Sequence, residues 1–439
     1  MGKISILTTQ PHKDDHVSLL GDPRNRRWLG WGALALVFLL VNLHRLSTAV
    51  LAEELTIEFE ITAAQLGALH ASFFVVYALI QIPTGILADR HGPRYVGAAG
   101  AIVLSLGALG FTASEGYVLA VASRTLIGLG SGVIFISILR FAANWFRVDE
   151  FATLVGLTGG IAGIGAILAT TPLAMAITAL GWRSTIAGLG VIGLLAAVCI
   201  IAVVRRSPRD AGLDPIPNVP TQPAVGWQET KGHLATLLRD PDQWLLSVIY
   251  FSALGSILTI IGLWGVPYLV VVYDLSVTAA SYYTLIGSVG VLLGAPTVGW
   301  ISDRVGRRHG PMVVGFALYT LAVGLVPVIG RPPLFLVAIS YFLIGFSLGF
   351  VMLGLPIIKE KYPAGASGVA TATINGWGFI GAAVLPYLMG IALDEHRTGD
   401  VVAGAVVYTE TGYRIAFGIV TVAMIGAFVC TVAVWLRGR

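Results

Sequence analysis

Residues 85–94 read Gly85-Ile86-Leu87-Ala88-Asp89-Arg90-His91-Gly92-Pro93-Arg94, and residues 299–308 read Gly299-Trp300-Ile301-Ser302-Asp303-Arg304-Val305-Gly306-Arg307-Arg308. The two stretches share the pattern Gly-x-x-x-Asp-Arg-x-Gly-x-Arg and lie 214 residues apart. Gly92 and Gly306 permit a tight turn between two helices. Asp89 and Asp303 are placed to face a helix amino terminus or to pair with Arg, while Arg90, Arg94, Arg304 and Arg308 keep the turn in a polar setting. The same offset carries Trp28 to Asp242, each at the mouth of a long apolar run, so half of the chain repeats rather than one loop. Gly181-Trp182-Arg183 and Gly412-Tyr413-Arg414 form a second echo.

The runs that flank these turns decide the class of protein. Of 439 residues 56% are hydrophobic and 11% charged, against roughly 25% charged in a soluble domain. Mean hydropathy is +0.84, which excludes disorder, and 54 glycines without a triplet period exclude collagen. A spanning helix needs about 20 apolar residues. Twelve such runs are present: Trp28–Leu51, Gln65–Ala88, Tyr95–Thr112, Tyr117–Phe141, Phe151–Leu180, Ser184–Val204, Trp244–Val272, Thr278–Ile301, Met312–Ile329, Leu334–Ile358, Ser367–Leu393 and Tyr413–Leu436. The expected fold is an all-α membrane protein of twelve transmembrane helices in two pseudo-symmetric six-helix bundles. Its expected divisions are an amino-terminal segment 1–27, a first bundle 28–204, a linker 205–243 rich in Pro, Asp and Arg, and a second bundle 244–436.

Charge sets the expected orientation, because basic loops stay cytoplasmic. Of the 27 Lys and Arg, all but Arg183, Arg331, Arg397, Arg414 and the intraspan Arg45 and Arg124 fall on the side of the amino terminus. Both termini are therefore expected in the cytoplasm of a multi-pass cell-membrane protein. Residues 1–27 lack a small-residue cleavage site and do not read as a removable signal. The net charge of +4 is explained by topology rather than by nucleic acid, for no basic patch is interleaved with aromatics. Cys199 and Cys430 lie within apolar runs and read as packing residues.

Catalytic parts are missing. The chain has no Gly-x-Ser-x-Gly, His-Glu-x-x-His or Walker-type phosphate loop, and no paired carboxylates within a span. No enzymatic activity, cofactor or metal is expected. Away from the span ends the ionisable inventory is short: His44 and Arg45 in the first, His70 in the second and Arg124 in the fourth, with none of the 23 Asp and Glu. An ionisable group at such depth is a functional candidate by default. Two guanidiniums without a carboxylate invite an anion, which the planar fork of Arg binds bidentately. Asn42 shares a helix face with Arg45. Trp264, Tyr268 and Asn375 in the second half offer aromatic walls and hydrogen bonds for the organic part of a ligand.

With its doubled loop, twelve runs and long linker, the chain resembles the major facilitator superfamily from Trp28 to Leu436. Arg124 in Arg124-Thr125-Leu126-Ile127-Gly128-Leu129-Gly130 is similar to the family's fourth-helix motif, with Ile127 where Gln is usual. Gly156, Gly159, Gly160, Gly163 and Gly165 are similar to its glycine-rich fifth helix, without the Gly-Pro pair of antiporters. Arg45 in Leu43-His44-Arg45-Leu46-Ser47 resembles the first-helix Arg of the anion-handling branches, such as the anion:cation symporters. The resemblance implies two bundles that rock around a central cavity lined by the first and fourth helices. It also implies a conformational latch of Asp89, Arg90 and Arg94, and of Asp303, Arg304 and Arg308, although Pro93 replaces a basic residue of the pattern.

The reading that follows is secondary transport of a small organic anion by alternating access in a monomer, with Arg45, Arg124, Asn42, Trp264, Tyr268 and Asn375 as substrate contacts. His70 and His44 are the candidates for proton coupling, as the spans lack carboxylates. A facilitator for a neutral or zwitterionic nutrient and a receptor that binds without flux are the alternatives.

Overall fold

The computed structural model describes residues 22–214, 216, 236–362, 364–402 and 405–437. Twelve helices are long and apolar enough to cross a membrane: Pro23–Leu46, Ala63–Gln81, Arg90–Thr112, Tyr117–Trp145, Asp149–Leu168, Trp182–Val203, Pro241–Tyr273, Val277–Val305, His309–Ile329, Leu334–Lys361, Gly368–Asp394 and Glu410–Arg437. They are called the first to twelfth helices below. The protein is a multi-pass membrane protein of two six-helix halves. A two-stranded antiparallel hairpin, Arg397–Val402 with Ala405–Tyr408, joins the eleventh and twelfth helices. Residues 1–21 and most of the expected linker, 215 and 217–235, lie outside the described residues.

Several apolar runs are interrupted, and proline explains three of the interruptions. A proline ring lacks an N–H and collides with the carbonyl four residues back. Pro172 separates Val148–Leu168 from Thr171–Leu180, where the sequence suggests one unbroken fifth helix. Pro267 follows a π-turn at Ile260–Trp264 in the seventh. Pro356 follows the break between Leu348–Met352 and Gly354–Lys361 in the tenth. The first helix ends at Leu46 and resumes as Thr48–Phe59, longer than its apolar run, because Glu53, Glu54 and Glu58 project beyond the hydrocarbon. Glu58 pairs with Arg183 at 2.9 Å, and that bond holds its carboxyl below the usual carboxylate range.

The irregularities obey the repeat. Val133 in the fourth helix and Ser347 in the tenth each end one helical stretch and start the next, and they are 214 residues apart. The same offset relates the break at Ser47 to the π-turn, the left-handed caps Glu60 and Asp274, and the N-caps Thr62 and Ser276. Gly92 and Gly306, the turn glycines of the repeated loop, have φ of 80° and 65°.

Each half is bolted at the face where its first helix begins, here called the basic face. Arg27 binds Glu150 through two bonds of 2.8 and 3.1 Å, tying the first helix to the fifth. In the other half the signs are reversed: Lys361 reaches Asp240 at 2.7 Å and Asp242 at 2.5 Å, tying the tenth helix to the seventh. Within the bilayer, where hydrophobicity does not drive helix association, small residues let backbones touch. A Cβ at Gly345 would lie 1.9 Å from the Gly287 carbonyl oxygen, so the eighth and tenth helices meet without side chains between them. Gly345→Leu is therefore expected to destabilise the fold by about 3 kcal/mol or more, as overpacking does at its upper range. The fraction of protein still monodisperse after heating in detergent measures this, with Gly368→Ala, which meets no neighbour within 4 Å, unchanged.

Candidate functional site

On the second helix Ala63, Gly67, His70, Phe74 and Tyr77 recur at alternate spacings of four and three, which places them on one face. That face meets the eleventh helix. Phe379 stacks on Phe74 with ring centroids 6.3 Å apart and lies 4.4 Å from the Tyr77 ring. Against this pair of rings ends the first helix's Arg45, its guanidinium carbon 5.0 Å from the Tyr77 centroid and 5.3 Å from that of Phe379. Arg45 also donates to Asn42 Oδ1 at 3.2 Å, while Asn42 Nδ2 donates to the Phe38 carbonyl at 2.8 Å. Its Nε is buried and has no partner among the described residues. A guanidinium held by ring faces and one amide keeps donors for a ligand.

Beyond Arg45, away from the basic face, the two halves are in contact. A Cβ at Gly67 would lie 2.7 Å from the Pro386 carbonyl oxygen. Ser281 of the eighth helix donates to Thr171 at 3.1 Å. Toward the basic face they part. Gly163 packs on Leu292, yet Gly156, Gly159 and Gly160, on the same side of the fifth helix, have nothing within 4 Å of their Cβ positions. Asn375, half-buried, stands one turn from Phe379 on the eleventh helix. The halves are thus joined on the far side of Arg45, while toward the basic face the fifth-helix glycines have open space beside them.

Other residues singled out by sequence are elsewhere. Arg124 is buried behind the first helix, donating to Ser47 Oγ at 3.4 Å and Thr48 Oγ1 at 2.5 Å and lying over Phe73 at 5.5 Å. It braces the break in the first helix and does not share the Arg45 space. His44 and His70 are fully buried. His70 is in the seal: its ring is 5.0 Å from Phe74, and a Cβ at Gly262 in the π-turn would be 3.4 Å from its Cε1. Trp264 donates to the Pro386 carbonyl at 2.9 Å, also within the seal, and with Glu53 and Asp274 lines a recess of about 320 Å³ on the far face. Burial, and then Glu54 beside it, pushes the Glu53 carboxyl up. Tyr268 packs inside the second half against Tyr413 and Phe417, its hydroxyl donating to the Gly330 carbonyl at 3.3 Å. Sequence reasoning missed Tyr77 and Phe379, although the heptad-like stripe on the second helix carried the signal for Tyr77.

The sequence profile of the Major Facilitator Superfamily matches residues 30–386 and 273–439. The chain belongs to this superfamily. It is a transporter by family and not an enzyme. A probable hexose phosphate transport protein of Chlamydia trachomatis is 25% identical over 350 residues, covering 74% of this chain and 76% of that one. The hexuronate transporter of Bacillus subtilis is 25% identical over 268 residues, 61% of this chain and 62% of the relative. Relatives of this facilitator thus include anion-handling branches. Among solved structures, a bacterial homologue of the human lysosomal transporter Spinster superposes with a TM-score of 0.75 at 17% identity, over 94% of this chain and 98% of that one.

The repeated loop of the facilitator lies at the open face. Asp303, Arg90 and Arg304 are exposed there, Arg94 donates to the Ile201 carbonyl at 2.9 Å, and Arg308 pairs with Glu360. The side chain of Asp89 lies outside the described residues. For Arg45 the expectation is that Arg45→Lys impairs uptake nearly as much as Arg45→Ala, on the order of 10-fold or more, because an ammonium keeps the charge but loses the bidentate fork. Uptake by the Lys variant at the wild-type rate would show that charge alone is read.

Proposed function

We propose that this facilitator carries a small organic anion with a single carboxylate-like charge, gripped by Arg45 at the apex of a cavity that alternates between the two faces. The observation that carries the reading is the placing of the cations. Arg124 donates to Ser47 and Thr48 of the first helix, Arg140 lies near the basic-face end of the fourth helix, and the spans of the second half hold no Lys or Arg deeper than Arg414 at the boundary, which leaves Arg45 as the cation where the halves meet. One fixed positive charge is balanced by one negative charge, so a monocarboxylate suits the site better than a phosphate dianion. Asn42 and Asn375 supply hydrogen bonds, and Tyr77 and Phe379 an aromatic wall, for the organic body. The name of the hexuronate transporter fits this chemistry more closely than that of the hexose phosphate protein.

The basic face is cytoplasmic under the positive-inside rule, so the form described opens inward. Asp89 and Asp303, with Arg90, Arg94, Arg304 and Arg308, act when that face closes. The whole cavity is enclosed by one chain, and a monomer suffices. His70 is the coupling group, since it is sealed in this form and meets external water once the far face opens. An imidazole titrates near neutral pH when hydrated.

A thermal-shift screen of the purified protein against monocarboxylates, sulfonates and phosphomonoesters tests the reading, since a ligand bound by the folded state raises stability by mass action. At 100 times its Kd a ligand is expected to add about 2.7 kcal/mol, for a monocarboxylate and not for Arg45→Ala. Flux of the hit into liposomes then separates a transporter from a receptor. Uptake is further expected to rise several-fold with acidic external pH in the wild type, and His70→Gln to abolish that rise while keeping exchange. An unchanged pH response in His70→Gln removes His70 from coupling.

A further inference from the structure

The second helix begins in an unusual way. Its N-cap is Thr62, whose hydroxyl accepts from Gln65 N at 3.3 Å while Gln65 Oε1 accepts from Thr62 N at 2.9 Å. The N–H groups of Ala63 and Ala64, which no intrahelical carbonyl can satisfy, are taken by the other half. Asp394, at the end of the eleventh helix, accepts from Ala63 N through Oδ1 at 2.9 Å and from Ala64 N through Oδ2 at 2.8 Å. A carboxylate is thereby seated on the positive end of a helix dipole belonging to the opposite bundle.

The surrounding chain is built for that contact. Pro386, Gly390 and Asp394 are spaced by four along one face of the eleventh helix. A Cβ at Gly390 would lie 2.4 Å from the Ala63 carbonyl oxygen, and one at Gly67 would lie 2.7 Å from that of Pro386. Backbone therefore lies on backbone from the clasp down to the rings that hold Arg45. The repeat makes the arrangement one-sided. Leu180 stands 214 residues before Asp394, and the eighth helix, related to the second, starts on its own Ser276, whose hydroxyl accepts from Ala279 N at 3.2 Å.

We propose that Asp394 is a gating residue of the transport cycle, closing the outer face by capping the second helix across the boundary between the halves. The proposal rests on the rocking motion and inward orientation given above, not on the substrate. Outward opening must part Asp394 from Ala63 and Ala64, and closing must remake those bonds, so the clasp sets the balance between the two states. Because the carboxylate serves the other half's helix and not the cavity, its loss shifts that balance without removing the anion grip.

Spin-label distances in the full-length chain, in lipid nanodiscs without added substrate, test this. With Cys199 and Cys430 replaced by Ala, one label pair at Glu115→Cys and Arg331→Cys reports the outer face, and a second at His91→Cys and Val305→Cys reports the inner. Asp394→Ala is expected to raise the ratio of outward-open to sealed populations at least threefold, with the inner pair drawing together in the same proportion. Ala63→Pro removes one donor from the opposite side, at a helix position that tolerates proline, and is expected to act likewise. Asp394→Asn, with one acceptor oxygen and no charge, is expected to fall between. Distances unchanged in both Asp394→Ala and Ala63→Pro would overturn the proposal. So would an outer pair that widens without inner closure, for Asp394 would then only tether a helix end. Gly67→Leu, which wedges the same contact, separates the failures: if it alone opens the outer face, the clasp is wrong and the rocking motion stands, and if no variant opens it, the rocking reading fails as well.

Discussion

One guanidinium sits where the two halves meet, for Arg45 lies against Tyr77 of its own half and Phe379 of the other. A charged side chain within a span costs several kcal/mol unless it is hydrated or held, and Arg45 has no ion-pair partner among the described residues. The protein uses two ring faces, Tyr77 from one half and Phe379 from the other, each contact worth about 0.5–2 kcal/mol when desolvated. Arg45 thus bridges the halves at the point where their seal ends. Under the proposed function, an anion that draws the guanidinium away from the rings would act on the seal and on the binding site through one group.

The remaining structure keeps each half rigid while leaving their boundary able to part. The Arg27–Glu150 pair and the Lys361–Asp240–Asp242 cluster are internal to their halves, as is the glycine contact between the eighth and tenth helices. Contacts across the boundary are of another kind: ring on ring, backbone on small residue, hydroxyl on hydroxyl, and the Asp394 carboxylate on a helix end. Such contacts are exchanged for water or lipid with little loss. The helix breaks at Ser47 and Ser347, and the π-turn at Ile260–Trp264, recur at matched positions of the two halves, which places bends where a rocking motion would use them.

The twelve spans, their repeat and the family were legible from sequence because they are written in residue class: long apolar runs, charges at boundaries, a polar turn repeated at a fixed offset. Arg45 was legible for the same reason, as a charge where none belongs. Arg124 was not separable from it. Both are intraspan guanidiniums at similar depth, and depth follows from helical rise, whereas the side of the helix they face depends on packing. Trp264 and Tyr268 share a helix with the right polarity, but Trp264 lies within the seal and Tyr268 packs inside the second half. Asp394 was read as a boundary carboxylate, since its partners are backbone N–H groups more than 300 residues away, which carry no side-chain signature. The hairpin Arg397–Val402 and Ala405–Tyr408 is not legible from sequence, its alternation too short to stand out against the apolar runs.

The central claim is that one guanidinium reads one negative charge. It is tested most directly by competition for uptake into liposomes between the transported monocarboxylate and its neutral primary amide, which has nearly the same shape, together with a phosphorylated analogue. Inhibition by the carboxylate alone, lost in Arg45→Ala, is the result expected. Equal inhibition by the amide would contradict the account, because the cavity would then be reading shape and hydrogen bonds without regard to charge.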